Sequence, residues 1–152
     1  MNEENAKIKL TTAEALKLIE ELKHRVTKNT LVFPAKGNKL EFEVFGKNDV
    51  NKYTINITRS NINKEKCSYQ GRTSTNSVLL MRLDITDGSH VNSDGTKIVG
   101  NHLHIYNEET EMRDAIPFDV TKPDLYEYCL EFFNKFNIIQ DENNGIIYQL
   151  EL

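Results

Sequence analysis

Three of the four histidines in this 152-residue sequence, His90, His102 and His104, fall within fifteen positions. Side chains at i and i+2 of a β-strand share a face. In Asn101-His102-Leu103-His104-Ile105-Tyr106 the two histidines and Tyr106 should therefore line up, with Leu103 and Ile105 turned to a core. His90 lies between two turn signals, Asp87-Gly88 and Asp94-Gly95, which can return it toward the pair. Imidazoles so grouped suit acid–base work on a phosphodiester, one ring as base and another as acid, with arginines neutralising the phosphate. Arg59, Arg72 and Arg82 come from preceding strands or their connections and are the candidate phosphate ligands. Three imidazoles can equally hold zinc or another divalent ion. A third reading makes His102 and His104 inert, hydrogen-bonded polar residues on a strand's second face. The expectation is a metal-free site without cofactor, because no cysteine or carboxylate sits at ligand spacing beside the His-x-His pair. Its catalytic candidates are His90, His102, His104 and Tyr106.

Charge sets the second constraint. The formal net charge is −4, which argues against indiscriminate binding to nucleic acid or anionic lipid. From Asn51 to Arg82, however, Lys52, Arg59, Lys64, Lys66, Arg72 and Arg82 face only Glu65, a local balance of +5. Such a basic middle is either a local anion site or a set of solvated sheet-edge cations. From Glu108 onward eleven acidic residues stand against Arg113, Lys122 and Lys135. Cys67 and Cys129 show no zinc-knuckle or disulfide spacing and are expected to be buried thiols. No run reaches the roughly 18 apolar residues of a membrane span, and the opening MNEENAKIKL has no signal-type apolar stretch. The expected setting is therefore cytoplasmic, with no membrane partner. A phosphate-binding glycine loop, a Gly-x-Ser-x-Gly elbow and a His-Glu-x-x-His helix are all missing from the sequence.

The elements that must position these residues follow from periodicity. Thr11-Thr12-Ala13-Glu14 reads as a capping box, and Ala15, Leu18, Ile19, Leu22 and Val26 keep helical spacing. That pattern predicts a helix from about Thr12 to Lys28. Beyond it the period becomes two. Leu31–Phe33 is a short strand, and Leu40–Val44 and Tyr53–Ile57 alternate apolar with polar residues, as half-buried antiparallel strands do. Cys67–Arg72 is a weaker strand pattern, and Ser77–Ile85 reads as a central strand covered on both faces. Asn101–Tyr106 and Ala115–Phe118 are further strands. A second helix should begin near Thr121–Asp124 with Pro123 in its first turn. Its apolar stripe is Leu125, Cys129, Phe132, Phe133 and Phe136, and Ile146–Leu152 closes the chain as a strand. The fold class expected is α+β: one domain spanning 1–152, an antiparallel sheet of about five to seven strands flanked by an N-terminal and a C-terminal helix.

The succession Arg59…Asn63…Tyr69-Gln70-x-Arg72…Leu80-x-Arg82-Leu83-Asp84…His90-x-Asn92-x-Asp94-Gly95…His102-Leu103-His104-Ile105-Tyr106 resembles an uncharacterised family of small bacterial and phage proteins. The resemblance covers about the middle third of the chain and brings no activity with it. It implies a phage or mobile-element setting, in which small proteins are often toxins or inhibitors of host defence. Two functional expectations stand side by side. One is a ribonuclease-like enzyme, a metal-independent phosphodiesterase acting on nucleic acid. The other is a non-catalytic, anti-CRISPR-like inhibitor whose acidic surface binds a nucleic-acid-processing protein by charge complementarity.

Overall fold

The computed structural model describes residues 9–63, 65–140 and 145–149. In chain order its elements are α1 (Thr12–Glu20), β1 (Leu31–Val32), β2 (Lys39–Phe45), β3 (Lys52–Arg59), β4 (Cys67–Thr73) and β5 (Leu79–Ile85), followed by β6 (Ser89–Val91), β7 (Lys97–Val99), β8 (His102–Ile105), β9 (Ile116–Pro117), α2 (Leu125–Lys135) and β10 (Ile146–Ile147). Six strands form one antiparallel sheet in the order β2-β3-β4-β5-β8-β9. The α+β expectation, a sheet of about five to seven strands with a helix toward each end of the chain, is the architecture found. A hairpin of β6 and β7, and a parallel pair of β1 with β10, are separate small sheets. Among the described residues no helix is long and apolar enough to cross a membrane.

Strand alternation decides what each face of the sheet does. One face carries Phe42, Val44, Tyr53, Ile55, Ile57, Tyr69, Leu83 and Leu103, all buried. Helix α2 covers it: Phe42 meets Phe133 edge-on, Tyr69 stacks on Phe132, Tyr53 meets Phe136, and the Tyr69 hydroxyl donates to the Leu125 carbonyl. At Gly71 the Phe136 ring comes so close that a β-carbon would lie 2.6 Å from it, so only glycine fits. The opposite face is polar, and its rows follow from the register. Glu41, Asn56, Gln70, Arg82 and His104 are successive partners across five strands. Thr58, Ser68, Asp84 and His102 form the adjacent row.

Both helices differ in extent from their sequence patterns. The Thr11 capping box is present, with Glu14 N–H donating to Thr11 Oγ1 at 3.1 Å and the Thr11 amide donating to Glu14 Oε1 at 3.0 Å. Helix α1 nevertheless ends at Glu20, well short of Lys28, and Glu21 is extended (ψ 131°). Lys23 and His24 leave the helical path to bridge Ile138 and Phe45. The Lys23 ammonium is fully buried and donates to the carbonyls of Ile19, Glu21 and Phe136 at 2.8, 2.9 and 2.7 Å. It thus satisfies terminal carbonyls of both helices at once, which continued α-helix could not allow. Leu22 and Val26, which prolong the apolar pattern, are exposed. In α2 the cap is Asp124, whose carboxylate accepts from the Glu127 amide at 2.8 Å, so Pro123 lies before the helix and not in its first turn. The last strand is Ile146–Ile147 and stops before Tyr148 and Gln149, shorter than its sequence pattern, and the expected continuation over 150–152 lies outside the described residues.

Candidate functional site

Strands β5 and β8 are neighbours, and their register sets Asp84 opposite His102 and Arg82 opposite His104. All four side chains therefore start on the polar face of the sheet. The hairpin that connects β5 to β8 then folds back over them. Its turn, Asn92 to Gly95, closes with the Gly95 amide donating to the Asn92 carbonyl at 2.9 Å, and Gly95 adopts φ +89°. A left-handed glycine after such a turn is what a short hairpin loop of this kind requires. The hairpin is pinned to the chain ahead of β9 by Asn92. Its side chain donates to the Ala115 carbonyl at 2.8 Å and accepts from the Ala115 amide at 2.9 Å. Asp114 adds bonds from the Ser93 amide and hydroxyl at 2.8 and 2.7 Å.

His90 on β6 is thereby laid against both strand histidines. Ring centroids are 5.3 Å apart for His90–His102, 4.9 Å for His90–His104 and 5.1 Å for His102–His104. One nitrogen from each ring lies within 4.8 Å of one from each of the others. His102 and His104 are 5% and 1% exposed, so the hairpin and not solvent surrounds them.

The hydrogen bonds fix much of the proton inventory. His90 Nε2 is 2.7 Å from the Arg113 carbonyl oxygen and donates to it, which leaves Nδ1 as a lone pair. His102 Nδ1 donates to the Gly100 carbonyl at 2.9 Å, yet its other nitrogen faces Asp84 Oδ2 at 3.2 Å. That contact places a positive centre between the two atoms, either a second proton on the ring or a bound cation. His104 Nε2 is 3.0 Å from Arg82 Nη2 and 3.6 Å from Asp84 Oδ2, and its Nδ1 is buried with no partner among the described residues. Asp84 itself is tightly held, by Arg82 Nε at 3.0–3.1 Å, Arg82 Nη2 at 2.9 Å and the Ser68 hydroxyl at 3.0 Å. Burial alone would raise its pKa. The His104 hydrogen bond and the Arg82 guanidinium, with the bonds from Arg82 and Ser68, outweigh burial and hold the carboxyl well below its ordinary range.

A cleft of about 390 Å³ opens beside the cluster. His102 and Asp84 reach it, and Ser60, Lys66, Ser68 and Ser89 line its walls. Of the residues singled out in the sequence, His90, His102, His104 and Arg82 are brought together. Arg59 is not. It bonds the Pro34 carbonyl at 3.1 Å and lies over the Phe33 ring, away from the polar rows of the sheet. Arg72 shares the polar face but reaches toward β2 and β3, where it pairs with Glu41 and Asn56. Tyr106 is buried, and its hydroxyl donates to the Leu10 carbonyl at 2.8 Å, toward the start of α1 and not into the cluster. Much of the basic middle segment is also balanced locally, with Lys52 bonded to Glu43 and Arg82 to Asp84.

Asp84 was not a candidate in the sequence, and the absence of a nearby carboxylate was the ground for expecting metal-free chemistry. The register overturns that ground, since Asp84 stands directly across from His102. Its signal was the Arg82-x-Asp84 spacing, two residues on one face of the strand preceding the histidines.

A model of a family of unknown function (DUF6978) matches residues 10–138, from the residue before the capping box to the bridge that follows α2. The chain belongs to this family. The DUF6978 segment contains the whole six-stranded sheet, both helices and every residue of the histidine cluster, and leaves out β10. No curated protein and no solved structure gives a match.

Proposed function

We propose that the protein is a small phosphodiester-cleaving enzyme of nuclease type, acting on nucleic acid, with the imidazole cluster as its reaction centre. The support is the convergence of His90, His102 and His104 with Asp84, of which His102 and Asp84 reach a cleft walled by Lys66 and serine hydroxyls. In this reading Lys66 and the hydroxyls hold the phosphate oxygens. The attacking oxygen, from water or from a ribose 2′-hydroxyl, gives up its proton as it bonds phosphorus. The leaving oxygen gains a proton as its P–O bond breaks, so the step needs no co-reactant. Arg82 is a positioning residue, because its guanidinium is already engaged by Asp84 and a phosphate would have to compete for it.

The test is incubation of the purified protein with single- and double-stranded RNA and DNA, beside Lys66→Ala and His90→Ala variants. Cleavage of at least one substrate is expected, with KM raised in the lysine variant and kcat lost in the histidine variant. Intact substrates throughout would refute the enzyme reading. A second reading, an inhibitor that occupies the basic nucleic-acid groove of a host enzyme in a phage or mobile-element setting, draws on a different observation. Glu108, Glu109, Glu111, Asp119 and Asp124 are all exposed within the acidic carboxy-terminal third.

A further inference from the structure

We infer that His90, His102 and His104, with the Asp84 carboxylate alongside, form a binding site for a single first-row divalent cation, zinc being the best match to its donors. The inference deepens the proposed function by naming the electrophile of the same site, although binding of the ion does not depend on catalysis.

Three independent features of the cluster lead to it. Each ring has one nitrogen turned to a protein group: the Arg113 carbonyl for His90, the Gly100 carbonyl for His102, and the Arg82–Asp84 pair for His104. Metal-binding imidazoles are oriented in this way, their outer N–H held by a carbonyl or carboxylate while the inner lone pair faces the ion. His90 and His102 match it through carbonyls, and His104 matches it once its Nε2 proton is directed to Asp84 and not opposed to the Arg82 donor. Secondly, His104 Nδ1 is buried and lacks any protein partner among the described residues. With Arg82 Nη2 donating to Nε2, the Nδ1 proton is stranded, whereas a cation at Nδ1 takes that lone pair and moves the ring proton to Nε2, toward Asp84. Thirdly, His102 Nε2 and Asp84 Oδ2 face each other at 3.2 Å across a gap that calls for positive charge. Zinc–nitrogen bonds of about 2.0–2.1 Å place tetrahedral donors roughly 3.3 Å apart. The separation of that pair already fits, and small ring rotations bring the remaining nitrogens, now within 4.8 Å, to the same spacing.

Charge argues the same way. Arg82 and Asp84 cancel each other, so neutral imidazoles leave the cluster itself, as distinct from Lys66 on the cleft wall, without net positive charge. A divalent ion supplies it, and three nitrogens with one carboxylate oxygen are a donor set that zinc, cobalt and nickel accept more readily than magnesium or calcium.

The experiment uses the full chain purified without added metal or affinity histidines. Elemental analysis should find near one equivalent of a first-row metal, or the chelator-stripped protein should take up one equivalent of Zn²⁺ with a rise in melting temperature. Cobalt substitution should give the intense visible bands of a four-coordinate site. His90→Ala, which alters a half-exposed ring on a hairpin held by other residues, should keep the native circular dichroism and lose binding by at least tenfold. Asp84→Asn should weaken it by roughly 10- to 100-fold. No uptake of Zn²⁺ or Co²⁺ by the wild type, or equal uptake by His90→Ala, would overturn the inference. Metal bound without cleavage of any nucleic acid would leave the site standing and refute the proposed function. Cleavage by metal-free protein in chelator would leave the proposed function standing and refute the ion's part as its electrophile.

Discussion

Replacing Asp84 by Asn preserves shape and an oxygen for Ser68 while removing the charge on which Arg82 depends. The guanidinium and carboxylate touch through Arg82 Nε and Nη2 at 2.9–3.1 Å, which places their charge centres about 4 Å apart. At an effective dielectric of about 20 that attraction is worth about 4 kcal/mol. The side chains are 30% and 19% exposed, so solvent screens part of it, and a net loss of about 2 kcal/mol is expected. Urea unfolding in the presence of chelator, which removes any contribution from bound metal, measures this directly. The pH dependence carries a second expectation. The folded-state pKa of Asp84 lies below its unfolded value of about 3.9, so its contribution is fully present above that value. It is lost as pH falls through the folded pKa. The gap between wild type and variant should therefore narrow as pH falls below about 4. A difference below about 0.5 kcal/mol at pH 7, or one that widens as pH falls below about 4, would refute the electrostatic account.

Three further outcomes follow from the fold. Lys23→Met should cost about 2–4 kcal/mol in urea unfolding, because three carbonyls lose a charged donor while the burial penalty of the ammonium is relieved; an unchanged midpoint would show that the lysine does not join the helices. Gly71→Ala should destabilise by about 1–3 kcal/mol, since the new methyl would meet a Phe136 ring that is itself stacked on Phe132 at 5.8 Å; a neutral effect would place that ring elsewhere. Burial pushes the Cys67 thiol up to about 12, against weaker opposing help from Tyr69, Arg59 and Ser68, and raises Cys129 as well. Neither should react with a disulfide reagent at pH 8 until the protein is unfolded, and rapid labelling of the native protein would contradict both placements.

The sheet was legible because its strands alternate. Leu40 to Val44 and Tyr53 to Ile57 announce one wet and one dry face, and both became half-buried strands with the expected parity. The helix caps at Thr11 and the stripe from Leu125 to Phe136 were equally local signals. Helix α1 was overextended because Leu22 and Val26 continue a period that a tertiary contact interrupts. The lysine that ends the helix does so by reaching Phe136, 113 residues away. The histidines were found from their spacing, which is local. Their company was not, because partners on a sheet depend on register, and register is invisible until strands pair. Arg59, Arg72 and Arg82 look equivalent in sequence, yet alternation turns Arg59 to one face, a salt bridge draws Arg72 toward β2, and a hydrogen bond to His104 draws Arg82 toward β8. Asp84 enters the site for the same reason that Arg72 leaves it. The hairpin strands β6 and β7 are three residues each, too short for a periodic signal, although turn residues mark the loop between them.

The central claim is that the three imidazoles form a reaction centre and not a packed polar core. It is tested most directly by the turnover of a simple activated phosphodiester, bis(p-nitrophenyl) phosphate, by wild type and His90→Ala, with the melting temperature of each measured beside it. The account predicts measurable turnover that falls at least a hundredfold in the variant while the melting temperature of the chelated proteins stays within a few degrees. Absent turnover by the metal-supplemented wild type, or equal turnover in the variant, would contradict it.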